Sequence, residues 1–187
     1  RHNRVAGPDF QWRYSTSQMV TGQWLFSDTR TPAEGSFASH GADLQWSHQT
    51  THLELASRYK DAGDGFRADT GFVPQVGFRE VFARGGWTVR PDGSVRNLRM
   101  FVTVTRQTDR SGALITRAVT PTAQMNVPWS GYLQFRLIED RVRSQSQMFD
   151  RRQFGFLARF SPSPRVAEVQ LDGTAGTNVD FTDSRPA

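Results

Sequence analysis

Apolar and polar side chains trade places at every second residue over much of this chain. Pro8, Phe10, Trp12 and Tyr14 share one parity, with Asp9, Gln11 and Arg13 on the other. Beyond a Ser/Thr-rich turn at Ser15–Gln18, Val20, Gly22, Trp24 and Phe26 alternate with Thr21, Gln23 and Ser27. A period of two belongs to a pleated strand, whose successive side chains point to opposite faces. The two runs therefore predict a hairpin with one apolar and one polar face.

The same pattern recurs downstream. His40, Ala42, Leu44, Trp46 and His48 oppose Gly41, Asp43, Gln45 and Ser47. A turn at Gln49–Thr51 leads into Leu53, Leu55 and Tyr59 against Glu54 and Arg58. Asp61–Gly65 has the Asp and Gly of a turn, and residues 66–78 then alternate without a break, which predicts one long strand. Gly71, Pro74 and Gly77 would let that strand bend or bulge. Trp87 and Val89, Leu98–Val104, Ala113–Val119, Leu133–Leu137, Phe154–Phe160 and Ala167–Leu171 complete the series, with turns at Pro91–Gly93 and Asp109–Gly112. Thr31–Ser39 and Thr120–Pro128 read as longer loops. No amphipathic helix is visible and no domain boundary interrupts residues 1–187. The expected fold is all-β: an antiparallel up-and-down meander of about ten strands.

Strand length separates two architectures. Strands of soluble sandwiches average ~5–6 residues, with turns every ~8–12, whereas these runs are nearer ten. A membrane barrel needs strands of ~9–11 residues, apolar outside and polar inside, with aromatic girdles. Tyr14, Trp24, Phe26, Trp46, Tyr59, Trp87, Trp129 and Tyr132 fall near the ends of the expected strands. Gly22, His40, His48, Ser57 and Thr70 interrupt the apolar stripe and count against the barrel. The polar parity would line a lumen, and its candidate binding residues are Asp9, Gln11, Arg13, Asp43, Gln45, Glu54, Arg58, Arg67, Asp69, Arg99 and Arg136. Facing lipid, such charges would cost ~2–4 kcal/mol each at mid-bilayer; facing a water-filled interior they neutralise one another. As an isolated piece the chain could stand as an open, curved sheet.

Composition narrows the chemistry. The chain has 187 residues, a net charge of +5 and 22 arginines against one lysine, Lys60. Those arginines are spread along the whole length and interleaved with acids on one parity, which argues against nucleic acid as a partner. Aromatics at 12% exclude a disordered chain. Cysteine is absent, so disulfides, thiolate metal sites and cysteine nucleophiles are excluded. No Gly-x-Ser-x-Gly elbow and no phosphate loop occur. His48 and His52 flank a turn, where the geometry of a helical zinc pair does not apply. Asp61, Asp64 and Asp69 miss the spacing of a calcium loop. The expectation is no enzyme, no cofactor and no metal.

Asn3–Asp9 with the striped Phe10–Tyr14, and Phe66–Gly77 after Arg58-Tyr59, resemble the C-terminal β region of a family of bacterial envelope proteins. In that family a region of unknown function follows a family-9 carbohydrate-binding-like domain, and members are sometimes called membrane-associated hydrolases. The likeness is strongest over residues 3–80. It implies that this chain is part of a larger outer-membrane barrel, with the carbohydrate-binding-like domain upstream and further strands downstream, and it supplies no catalytic residues. The expected role is a non-enzymatic pore, scaffold or translocation conduit in the Gram-negative outer membrane. Its partners would be outer-membrane lipid and an oligosaccharide or other small polar solute. The alternatives are a soluble carbohydrate-binding β module and the non-catalytic part of an envelope hydrolase.

Overall fold

The computed structural model of the chain describes residues 2–32, 35–68, 75–145, 147–161, 163, 167–180 and 185–186. Among them every regular element is a strand: β1 (His2–Ala6), β2 (Asp9–Arg13), β3 (Gln18–Thr31), β4 (Gly35–Gln49), β5 (Leu53–Ala62), β6 (Phe78–Val89), β7 (Asn97–Asp109), β8 (Leu114–Val127), β9 (Gly131–Ser144), β10 (Gln147–Phe160), β11 (Val169–Gly176), β12 (Val179–Asp180) and β13 (Arg185–Pro186). The first eleven form one antiparallel meander in the order β1-β3-β4-β5-β6-β7-β8-β9-β10-β11, with β2 also on β3; β12 and β13 pair with each other. Within the described residues the path begins at β1 and ends at β11 without closing into a barrel. By contact the chain divides into two units: Arg1–His48 with Ala56–Ala83 and Arg106–Ile115, and Gln49–Leu55 with Arg84–Thr105 and Thr116–Ala187.

In the first unit, β1 and β2 are one strand with a gap. Their ladders on β3 keep a single register, from His2↔Arg30 to Ala6↔Phe26 and then from Asp9↔Gln23 to Arg13↔Met19. Pro8 has no N–H to donate, but its carbonyl still accepts from the Trp24 amide at 2.9 Å. Gly7 fills the gap because a Cβ there would lie 1.7 Å from the Trp24 carbonyl oxygen. Gly7→Ala is expected to destabilise the fold by about 1–2 kcal/mol, read as a lower unfolding midpoint and faster amide exchange over β1. Aromatic rings cover two other strand glycines from the neighbouring strand, Phe10 over Gly22 and, in the second unit, Phe156 over Gly173.

Several elements depart from the sequence expectations. β4 begins at Gly35, so most of the segment read as a loop over Thr31–Ser39 is paired strand. β8 likewise runs through Thr120–Val127. Its ladder to β9 holds one register on both sides of Pro121, from Thr116↔Val142 to Val119↔Glu139 and from Thr122↔Arg136 to Val127↔Gly131. Proline removes one donor there without ending the strand. The continuous strand expected over 66–78 does not form in the described residues: Phe66–Ala68 and Gln75–Gly77 are irregular, and β6 starts at Phe78. Asp69, Thr70, Gly71, Phe72 and Pro74 lie outside the described residues. Gly77 has φ 76°, the left-handed conformation of a turn and not of a bent strand.

Two hairpins gave no turn signal because unusual residues make them. Trp129 and Ser130 have φ 60° and 50° between Pro128 and Gly131, and the Gly131 amide donates to the Pro128 carbonyl at 3.1 Å. These are the centre positions where Asn-Gly is favoured. Gln145, at φ 53°, opens the turn between β9 and β10.

Among the described residues, apolar burial is confined to Ala62, Phe66 and Phe78. All three belong to the first unit, where the connector after β5 lies on the polar parity of β3 and β4. A Cβ on Gly41 would meet the Phe66 ring at 3.2 Å. The Arg67 amide donates to Ser27 Oγ at 3.4 Å, and Asn3 Nδ2 donates to the Arg67 carbonyl at 3.0 Å and to Thr29 Oγ1 at 2.7 Å. Ser27 and Thr29 are buried in consequence.

Candidate functional site

The polar parity of each unit carries the candidate site. In the first unit the register places Asp9, Gln23 and Asp43 in one cross-strand row, Gln11, Thr21 and Gln45 in the next, and Arg13 beside Met19. Arg58 reaches Asp43 through both carboxylate oxygens, with Nε to Oδ1 at 2.8 Å. A cleft of about 450 Å³ is lined by Gln23, Leu25, Asp43, Lys60, Phe66, Phe78, Glu80 and Gln107, among others. Seven of the expected lumen residues therefore share this unit's polar side: Asp9, Gln11, Arg13, Asp43, Gln45, Arg58 and Arg67. Arg67 is the correction among them, since it sits on the connector and meets Ser27 and Asn3 through its backbone. Asp69, the other residue expected on that run, lies outside the described residues.

The second unit holds the remaining three, Glu54, Arg99 and Arg136, within a larger network. Arg99 binds Glu54 and donates to Gln124 Oε1 at 3.3 Å; Gln124 Nε2 and the Tyr132 hydroxyl each donate to Gln134 Oε1 at 2.9 Å. The guanidinium groups of Arg84 and Arg99 stand 5.0 and 4.9 Å from the Phe101 ring centre, a doubled cation–π contact. Arg136 extends over Gly155, its cross-strand partner. Asp140 and Arg151 pair through two contacts, with side chains only 8% and 20% exposed.

Tyr132 thus belongs to the polar parity, not to an aromatic girdle, and Trp24 and Phe26 lie within the 14-residue β3, not at its end. Sequence reasoning missed Arg84, Gln124, Asp140 and Arg151. Gln124 was hidden in the segment read as a loop. Asp140 and Arg151 stand among Ile138, Val142 and Phe149 on one parity, where apolar and charged residues mix and the alternation is lost.

The opposite parity is apolar and uncovered. Among the described residues 22 large hydrophobic side chains are exposed, including Trp12 at 62%, Phe26 at 58% and Leu171 at 60%. In the second unit this face holds an open groove of about 680 Å³ lined by Leu53, Leu55, Trp87, Met100, Val102, Phe135, Leu137 and Phe154, among others. Rings gather near strand ends within each unit. In the first unit the Trp46 indole N–H donates to the Tyr14 hydroxyl at 2.8 Å, and His48 stacks on Trp46. In the second unit His52 stacks on Trp87, and its Nδ1 lies 3.0 Å from the Thr88 carbonyl.

The two histidines flanking the turn therefore each pack against their own tryptophan. Asp61, expected in a turn, is near the end of β5, where Arg110, Arg79 at 3.4 Å and His40 at 3.8 Å surround its carboxylate. Asp64 lies in the turn beyond it, beside Gly77. No cluster of three His, Cys, Asp or Glu side chains that could hold a metal occurs among the described residues.

No protein-family model matches the chain, and no curated protein or solved structure matches it. The functional reading rests on the physical chemistry of the two faces.

Proposed function

We propose that the chain is a segment of a Gram-negative outer-membrane β-barrel, with its apolar parity against lipid hydrocarbon and its polar parity lining a hydrated interior. The role is a non-enzymatic pore, scaffold or conduit for a small polar solute such as an oligosaccharide, in keeping with the carbohydrate-binding-like domain that the family resemblance places upstream.

One observation carries this reading: among the described residues large apolar side chains are exposed in number, while the buried apolar ones are Ala62, Phe66 and Phe78. Fully burying such a side chain stabilises by ~1.5–3 kcal/mol. Leaving some twenty of them about half exposed to water forgoes on the order of 20 kcal/mol, more than the ~5–15 kcal/mol net stability of an ordinary domain. Cover by an apolar medium would recover that contribution, and strands of 10–15 residues in β3–β10 are long enough to cross one. On the other parity Asp43, Glu54 and Asp140 are each engaged by an arginine, which leaves a charge-compensated surface suited to contact with polar solutes.

The test is refolding of the chain from urea into phosphatidylcholine vesicles. The expected result is protease protection, a blue-shifted tryptophan emission, heat-modifiable gel migration and conductance steps in a planar bilayer. A stable, detergent-free monomer that leaves vesicles untouched would overturn the proposal in favour of a sugar-binding module stacking on exposed tryptophans.

A further inference from the structure

We infer that the arginine-rich end of the apolar face in the second unit, beside the turn between β9 and β10, is a binding site for the phosphate groups of anionic lipid. The inference rests on the membrane reading above.

The stripe changes character within two residues. The directly paired Leu137 and Phe154 give way to a row of Val119, Glu139 and Arg152, and then to a row of Arg117, Arg141 and Asp150. Arg143 follows on the same parity of β9. Side chains two apart on a strand are ~6.6 Å apart. The headgroup zone on each side of a ~30 Å hydrocarbon core is about 5–7 Å deep. The first charged row therefore falls at headgroup depth if the apolar stripe fills the core.

The charges there are not balanced. Three arginines (117, 141 and 152) face two acids, Glu139 and Asp150. Arg141 is held by Asp150, with Nε to Oδ1 at 2.6 Å and Nη2 to Oδ2 at 2.8 Å, and Arg152 Nε is 3.0 Å from Glu139 Oε1. Arg117 stands directly opposite Arg141 and shares the one acid of that row, its charge helping the bound Arg141 to hold the Asp150 carboxyl down. Like charges directly opposite across a ladder are unfavourable, and a phosphate between them relieves the repulsion. A cleft of about 450 Å³ is open at this place, lined by Arg117, Arg141, Asp150, Arg152 and Thr177 with their neighbours. Arginine is also the side chain whose planar fork suits phosphate oxygens.

The chemistry recognised is a phosphate monoanion or diester, and its place beside the apolar stripe selects a lipid over a soluble source. The experiment compares the whole chain and its variant R117Q/R152Q in flotation with neutral phosphatidylcholine vesicles and with vesicles containing phosphatidylglycerol, at low and high salt. With ~1 kcal/mol per basic residue near an anionic surface, these two arginines should strengthen partitioning to the anionic vesicles by roughly 25-fold at low salt. The preference should fade with added salt and be lost in R117Q/R152Q. The charge-matched control R90Q/R96Q, altered in the loop between β6 and β7, should keep it.

Equal insertion of the wild type into both vesicles, or an unchanged preference in R117Q/R152Q, overturns the phosphate site and leaves the membrane reading standing. Insertion into neither vesicle overturns both. Saturable binding of inorganic phosphate in neutral vesicles that cancels the anionic preference overturns the lipid assignment in favour of a soluble phosphate.

Discussion

Replacing Val102 by arginine is expected to cost about 2–4 kcal/mol of folding into a bilayer, the penalty for a cation on the lipid face of a barrel at mid-depth. Val102 lies in the middle of β7, 43% exposed, between the apolar Met100 and Val104 on its own parity. No compensating acid is near it in sequence on that side of the strand. The paired control is Thr21→Lys on the polar parity, between Gln11 and Gln45 in register, expected to change stability by no more than about 0.5 kcal/mol. Urea titrations of vesicle-folded protein, followed by tryptophan emission, measure both. If V102R is as stable as T21K, the apolar face does not contact hydrocarbon. If V102R is instead more soluble and better folded in plain buffer, the face is a water-exposed surface.

The second large effect is expected at Asp140. Its side chain is 8% exposed and that of its partner Arg151 20% exposed, so Asp140→Asn removes the paired carboxylate from a guanidinium largely shielded from bulk water, while its 3.5 Å contact to Asn178 Oδ1 stays. Breaking a fully buried pair costs ~3–5 kcal/mol. Because Arg151 keeps a fifth of its exposure, about 2 kcal/mol is expected, read as a lower urea midpoint with an unchanged slope.

Asp150→Asn removes the same chemistry in the pair with Arg141, whose side chains are 47% and 70% exposed, and should give no measurable shift. The hydrogen bond from Arg141 holds the Asp150 carboxyl below its ordinary carboxylate range. The small contribution of that pair is therefore present above the ordinary carboxylate pKa and lost as pH falls through the lowered value. Equal losses in the two variants would show that the polar face is as open to water as the strand ends.

Legibility along the chain followed the environment of each strand. Where one face is apolar and the other polar, as over Phe10–Tyr14, Val20–Phe26, Leu98–Val104 and Phe154–Phe160, alternation marks the strand and its parity. Beyond the apolar stripe each parity mixes apolar and charged residues, as where Val142 and Phe149 pair beside Asp140 and Arg151, so Glu139–Ser144 and Gln147–Arg152 carry no clear period and their pairing was not readable. The same loss of contrast marks the charged ends of the faces. Pro121 falls in the stretch 120–128 that reads as a loop, because a missing donor is visible in sequence while the intact register around it is not. The run at 66–78 shows the converse error. Its alternation is real, but Phe66 turns to the polar parity of β3 and β4, against Gly41, and the described ends of the run are irregular.

The sequence by itself determined the fold class, the antiparallel hairpins and the parity of most side chains, because a period of two is a local property of the backbone. It also determined that charge would be compensated on one parity. Only the tertiary structure decided which acid meets which arginine, as in Asp43 with Arg58, Glu54 with Arg99 and Asp140 with Arg151. Those partners sit on different strands, and their meeting depends on register, which no single strand encodes. It decided, too, that the connector after β5 lies on the polar parity, where Asn3 and Ser27 bind the Arg67 backbone. That packing unites residues some forty to sixty positions apart, and side-chain alternation carries no information at that range.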